Sequence, residues 1–243
     1  MVDLANGSDH WWMSFFLDLL DLTLPQRCVG CSAKSTRSDG HLALVCRRCA
    51  MALKGSPHKV RVRGVTESEF PIMAAAAYEG STRNLLLAAK ERNQVALIPM
   101  LASATSIAIT QLLARSEPDQ KLALIPIPSM PKNLRNRGYN LVGQMTNLLA
   151  REMAMRFDDV RVVEILRHRR HVADQSRLSA SARAANLHGA FSTLDLGGPL
   201  LTDRRVIIID DLVTTGATLI EARRSLIAAG IRPFGAVCAM SSD

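Results

Sequence analysis

The sequence predicts an α/β protein: a mostly parallel sheet flanked by helices, with a small cysteine-rich module at its N-terminus. Three observations carry that expectation. From residue 58 onward, apolar strand-like runs alternate with segments of helical periodicity, the pattern of a parallel sheet covered by helices. One of those runs, RRVIIID at 204–210, is continuously aliphatic, as in a strand buried on both faces. Four of the five cysteines form two C-x2-C pairs between residues 28 and 49.

In chain order, the first element is the run WWMSFFLDLLDLTLP. Trp12, Phe15, Phe16, Leu19 and Leu20 share a helical face there, which predicts an amphipathic helix docked on the body. Asp18 and Asp21 interrupt it, and it is shorter than the ~20 apolar residues of a membrane span. Its polar face lacks the Lys and Arg of an interfacial helix. With no span and no secretory leader legible, the expectation is a cytoplasmic protein.

Cys28, Cys31, Cys46 and Cys49 come next, the two pairs separated by 14 residues. This is four-thiolate zinc spacing. Four thiolates leave no open coordination position, so the Zn²⁺ is structural, and the N-terminal segment is where its effect is expected. Disulfides are disfavoured without a route to an oxidising compartment. His41, between the pairs, reads as a loop histidine, and Cys238 as a small apolar residue on a buried strand. The division is therefore 1–57 for the N-terminal helix and thiolate module and 58–243 for the sheet domain.

Within the sheet domain, HKVRVRG and PIMAAAAYEG read as strands, and STRNLLLAAKERN and MLASATSIAITQLLARS as helices. KLALIPIP is a strand stopped by prolines, residues 139–156 a helix, and VRVVEIL a strand. TLIEARRSLIAAG is a helix capped by Gly230, and FGAVCAM the closing strand.

The chemistry concentrates in VIIIDDLVTTGAT, residues 206–218. Ligands of open parallel sheets bind beyond the carboxyl ends of the strands, where Asp210 and Asp211 stand. Two adjacent carboxylates repel and are costly to bury alone, so a polar or cationic partner is required. Thr214 and Thr215 supply hydroxyls, Gly216 permits an unusual backbone turn, and the following helix offers its N-terminal N–H groups. That is a phosphate cradle. It is not a Walker A loop, whose G-x-x-x-x-G-K-[ST] is absent.

The segment resembles the phosphoribosyl pyrophosphate (PRPP) motif of type I phosphoribosyltransferases. The chain as a whole resembles the ComF family, associated with DNA uptake in natural competence. The thiolate pairs carry the resemblance, with YEG at 78–80, Lys90, PIPS at 126–129, LRNRGYN at 134–140 and QSRLSASARAANLHGAF at 175–191. It implies a type I phosphoribosyltransferase-like fold in which Asp210 and Asp211 contact ribose hydroxyls and Thr214, Thr215, Gly216, Ala217 and Thr218 hold the 5′-phosphate. Mg²⁺ would arrive bound mainly to PRPP. The loop Ile127, Pro128 and Ser129, with Arg135 and Arg137, is the pyrophosphate candidate, and Lys90 a weaker one. Residues 167–188 suit a lid, in which Gln175, Arg183 and Asn186 match the family pattern.

Two departures bear on substrate. Hypoxanthine–guanine enzymes carry an aspartate where Thr214 stands, which argues against that specificity. The family commonly has glutamine where Leu141 stands. No element that recognises an acceptor base is legible.

Composition bounds the partners. A net charge of +8 and an isoelectric point near 9.7 favour anionic ligands, nucleic acid or acidic protein. The reading is thus an enzyme that transfers a phosphoribosyl group to an unidentified acceptor with release of pyrophosphate. The alternatives are an accessory module for DNA uptake, engaging single-stranded DNA or a competence helicase, and a PRPP sensor without turnover. An aromatic content of 4% weakens a stacking-based DNA reading.

Overall fold

The aliphatic run that defined the fold class becomes β7, Arg204–Val213, at the centre of a six-stranded sheet. The computed structural model describes residues 27–34, 44–55, 57–114, 121–169, 189–194 and 201–242. The expected helix at 12–20, His41, Gln175, Arg183 and Asn186 lie outside them.

In chain order the described elements are α1 (Arg47–Lys54), β1 (His58–Lys59), β2 (Ile72–Ala77), α2 (Gly80–Glu91), α3 (Ile98–Leu112, entered through a 3₁₀ turn Val95–Leu97) and β3 (Lys121–Pro126). They continue with α4 (Pro131–Arg137), α5 (Leu141–Met153), β4 (Val160–Val162), β5 (Leu166–His168), β6 (Phe191–Thr193), β7, α6 (Ala217–Ala228) and β8 (Gly235–Ser241). The sheet order is β1-β2-β8-β7-β3-β4. Among the described strands of this sheet, only β1 runs antiparallel to its neighbour.

Strand β7 explains why the sheet must be covered on both sides. Val206 and Ile208 join one core cluster with Ala123, Ile125, Ala236 and Cys238, while Leu219, Ala222 and Leu226 of α6 close over that face. Ile207 and Ile209 join the other, under α2, α3 and α5. Alternate residues of one strand thus serve two layers, so polar positions are confined to its ends. The thiolate module shares the second cluster: Cys28, Val45, Cys49, Ala50 and Leu53 pack in it.

Helix ends follow sequence signals. Gly138, at φ +74°, stops α4, and Asn140 caps α5 by accepting from the Gly143 amide at 3.1 Å. Gly230 closes α6 as expected. At φ +80° it donates to Ile227 O, and Ile231 donates to Leu226 O, both at 2.9 Å, the paired bonds of a Schellman motif. Val95–Leu112 is long and apolar enough to cross a membrane by composition. Here, however, Leu101, Ala102, Ala104, Thr105, Ala108 and Ile109 are buried where α3 packs against α5 and β2.

Two strand expectations change. HKVRVRG forms only the two-residue β1, after which Val62 lies against Gly216 of the T-T-G-x-T loop. VRVVEIL divides into β4 and β5, which belong to different sheets. Val163 still donates to Leu124 O at 3.0 Å, but Glu164 is exposed and Leu166 begins an antiparallel pairing with β6. The sequence pattern did not mark β6, whose three residues are too few for a period-two signal. Nor did it mark α4, whose residues are all exposed or half-buried and show no apolar stripe.

Candidate functional site

The site forms where β7 and β3 end, between the N-terminus of α6 and the C-terminal turn of α2. Asp210 and Asp211 are both buried, 8% and 6% exposed, and the partner their charges require is Lys90. Its Nζ donates to Asp211 Oδ2 at 2.8 Å and to Oδ1 at 3.0 Å. Among the described residues Asp210 has no such cation; its Oδ1 accepts from the Asp211 amide at 2.8 Å. Burial, and then the neighbouring Asp211 charge, push the Asp210 carboxyl up to about 7, against the pull of Lys90 and of that amide. Burial draws the Lys90 ammonium down, but Asp211, by charge and hydrogen bond, and Asp210 outweigh it and hold Lys90 above its usual range.

The T-T-G-x-T loop follows. Gly216 is the N-cap of α6 at φ +74°, ψ 0°, in the left-handed region that favours glycine. Space demands glycine as well, because a Cβ there would lie 2.3 Å from Val62 Cγ1. Val62 therefore backs the loop on one side, a contact no sequence motif announces. The Ala217 amide donates to Thr215 Oγ1 at 3.4 Å and Ile220 to Gly216 O at 3.0 Å. The first turn of α6 carries no acidic side chain, so its dipole and amides suit an anion. Thr214 is exposed, and Thr215, Ala217 and Thr218 are half-buried.

Across the sheet, the loop after β3 is held at both ends. Ile127 donates to Ile209 O at 2.8 Å, extending the ladder beside β7. Ser129 Oγ donates to Asn140 Oδ1 at 3.0 Å, and His168 Nε2 donates to the Pro128 carbonyl at 2.9 Å, which fixes the proton on that nitrogen. A cavity of about 290 Å³ separates this loop, α4 and β5, with Ile127, Ser129, Leu134, Asn140 and His168 among its walls. Arg135 is exposed, whereas Arg137 is paired to Glu91 at 3.2 Å. Lys90, grouped with these residues from the sequence, meets the acidic pair instead.

The β5–β6 hairpin, which brackets residues 170–188, is anchored beside both loops. Besides His168, the buried Glu221 of α6 accepts from the Phe191 amide at 3.4 Å while Arg224 holds both its oxygens at 2.7 and 2.8 Å. Thr193 Oγ1 donates to Ser225 O at 3.1 Å. The roles of His168 and Glu221 escaped the sequence because each depends on a partner 30 or more residues away.

A second site lies in the N-terminal module. The four Sγ atoms of Cys28, Cys31, Cys46 and Cys49 all lie within 4.8 Å of one another. Cys31 and Cys46 are 3.7 Å apart, against about 3.75 Å between sulfurs in a tetrahedron with Zn–S of about 2.3 Å. Burial pushes the Cys28 thiol up, but the backbone amides of Cys46, Cys31 and Gly30 pull harder and bring it to about 7. The donor set fits a closed, four-thiolate metal site. The knuckle docks on α2, where Asn84 Nδ2 donates to Gly30 O at 2.8 Å.

Residues 137–242 match the phosphoribosyl transferase domain, a span that includes α5, the hairpin, β7 with its acidic pair, α6 and β8. The chain is 34% identical over 109 residues to Competence protein F of Haemophilus influenzae, 45% of each chain. It is 33% identical over 107 residues to DNA utilization protein YhgH of Escherichia coli O6:H1, 44% of each chain. The similarity to YhgH of Salmonella typhi is 26% over 192 residues, covering 79% of this chain and 75% of that protein. The two higher-identity matches span a little under half of the relatives' length.

Proposed function

We propose that the chain is a ComF-type protein whose phosphoribosyl transferase domain binds PRPP and transfers the phosphoribosyl group to an acceptor with release of pyrophosphate. One observation carries the reading: a buried acidic pair at the carboxyl end of a central parallel strand is followed within five residues by a glycine N-cap in the left-handed region and an acid-free helix N-terminus. Carboxylates beside a phosphate cradle match a sugar phosphate, whose hydroxyls donate where its phosphate accepts.

In this reading Asp210 and Asp211 orient the ribose hydroxyls and offset the positive charge that grows on the anomeric carbon. Thr214, Thr215, Gly216, Ala217 and Thr218 hold the 5′-phosphate. The Ile127–Ser129 loop, with Arg135 and Arg137, receives the pyrophosphate. Mg²⁺, carried on the ligand's oxygens, neutralises the leaving group; Lys90 already neutralises one carboxylate of the pair, which favours a metal that arrives with the ligand. Zn²⁺ is the metal proposed for the four cysteines, in a structural role. The setting proposed is the cytoplasm.

Isothermal titration with PRPP and Mg²⁺ tests the reading, followed by pyrophosphate release across a panel of acceptors. The expected result is binding that falls by tenfold or more in the double variant Asp210→Asn, Asp211→Asn. Thr215→Val is expected to weaken binding less, because it removes one phosphate contact and keeps the ribose contacts. Wild-type affinity and turnover in the double variant would sink the reading.

The relatives' names favour a second reading, an accessory role in DNA use. The same fold would then serve in DNA uptake by contacting single-stranded DNA or a helicase. The two readings are compatible.

A further inference from the structure

Three consecutive residues at the C-terminal turn of α2 each hold a different part of the site. Ala89 O accepts from the Tyr139 hydroxyl, Lys90 holds Asp211, and Glu91 accepts from Arg137. Lys90 is therefore not a loose surface lysine. It is fixed on both sides by bonds to the segment that follows the β3 loop, and its side chain is 26% exposed.

The charges beside it do not balance. Two carboxylates adjoin one ammonium, and both Lys90 contacts go to Asp211. Asp210 feels the charges of Asp211 on its own strand and of Lys90 on α2, and Cys238 is its register partner on β8. The Cys238 thiol is pushed well up by burial and then by the two aspartates, so it stays neutral. The Arg137 charge also acts on Lys90, and Arg137 is itself paired with Glu91. With one cation among the described residues for two buried acids, the neutral arrangement has one carboxylate ionised and one protonated.

We propose that Lys90 is a positioning residue that keeps the ligand-free acidic pair electrically neutral, with Asp211 ionised against it and Asp210 holding a proton that leaves when the ligand binds. The ligand half rests on the phosphoribosyl reading. In that step the Asp210 O–H bond breaks, the proton passes to solvent, and the carboxylate formed accepts a ribose hydroxyl. Affinity therefore rises with pH until Asp210 is already ionised. Removing the ammonium strengthens the hold of the pair on its protons and moves that rise to higher pH.

The experiment measures PRPP·Mg²⁺ affinity by titration calorimetry from pH 6 to 9 for wild type, Lys90→Met and Lys90→Arg, in two buffers of different ionisation enthalpy. Carbon-13 NMR follows the aspartate carboxyls of the ligand-free proteins across the same range. Titration of the ligand's own phosphates is common to all three and cancels in the comparison. Wild type is expected to gain up to about tenfold in affinity per pH unit below its midpoint, the slope for one released proton. Lys90→Met is expected to shift that midpoint upward by a unit or more and to recover affinity at pH 9, while Lys90→Arg behaves as wild type. An equal loss in Lys90→Met at every pH overturns the proposal and leaves the PRPP reading standing. Absence of binding by wild type at every pH overturns the PRPP reading. The ligand-free carboxyl titration then decides for Lys90, because a midpoint unchanged in Lys90→Met overturns its role.

Discussion

Asp210 and Gly216 sit six residues apart, and each is costly for the fold in a way that the proposed site explains. A carboxyl raised from 3.8 to about 7, chiefly by burial, makes the folded protein keep a proton that the unfolded chain has already released between those values. Stability therefore falls as pH rises from about 4 to about 7 and levels off above. Asp210→Asn removes that dependence. Thermal unfolding of the variant is expected to show a gain at pH 8, on the order of a few kcal/mol, and a smaller gain at pH 5. A gain that is equal at both pH values would show that Asp210 is not the titrating group. Gly216 is constrained twice, by φ +74° and by Val62, so its place in the motif is a matter of backbone and space as much as of phosphate.

Among the elements, α1 decides how far the thiolate site acts. Cys46 is its N-cap and Cys49 lies within it, and Cys49, Ala50 and Leu53 pack in the same cluster as α2 and α3. The sequence suggests a local effect, but the shared core predicts a global one. Protein purified under reducing conditions is expected to carry about one zinc per chain. Cys46→Ser is expected to lower the single unfolding transition, a loss on the order of 3 kcal/mol corresponding to roughly 6–12 °C for a chain of this size. Elemental analysis and calorimetry check both. A separate low-temperature transition with the main one unmoved would return the module to independence.

For the whole molecule, charge makes the sharpest prediction. The chain carries 30 Lys and Arg against 22 Asp and Glu, and the described arginines are partly consumed in pairs with Asp159, Glu91 and Glu221. If single-stranded DNA binds through phosphates, its affinity is expected to be weak, to depend little on sequence, and to drop steeply between 50 and about 200 mM salt. Fluorescence anisotropy with a labelled oligonucleotide checks this. Binding insensitive to salt, or none at low ionic strength, would leave any DNA role to protein contacts.

The sequence by itself determined the α/β class, the buried strand that carries Asp210 and Asp211, the Gly230 cap of α6 and the spacing of the four cysteines. Each is written in a period or a local motif, and local steric and burial rules act within a few residues. Tertiary structure alone decided that Lys90 answers Asp211 across 121 residues of chain, that Val62 backs Gly216, and that VRVVEIL leaves the main sheet halfway. It also decided that the thiolate module shares the central core. These outcomes depend on which surfaces meet once the layers pack. A lysine late in a helix, or a valine in a basic strand, reads the same in sequence whether it faces solvent or a buried carboxylate; burial of the counter-charge makes the difference, and burial is a property of the assembled layers.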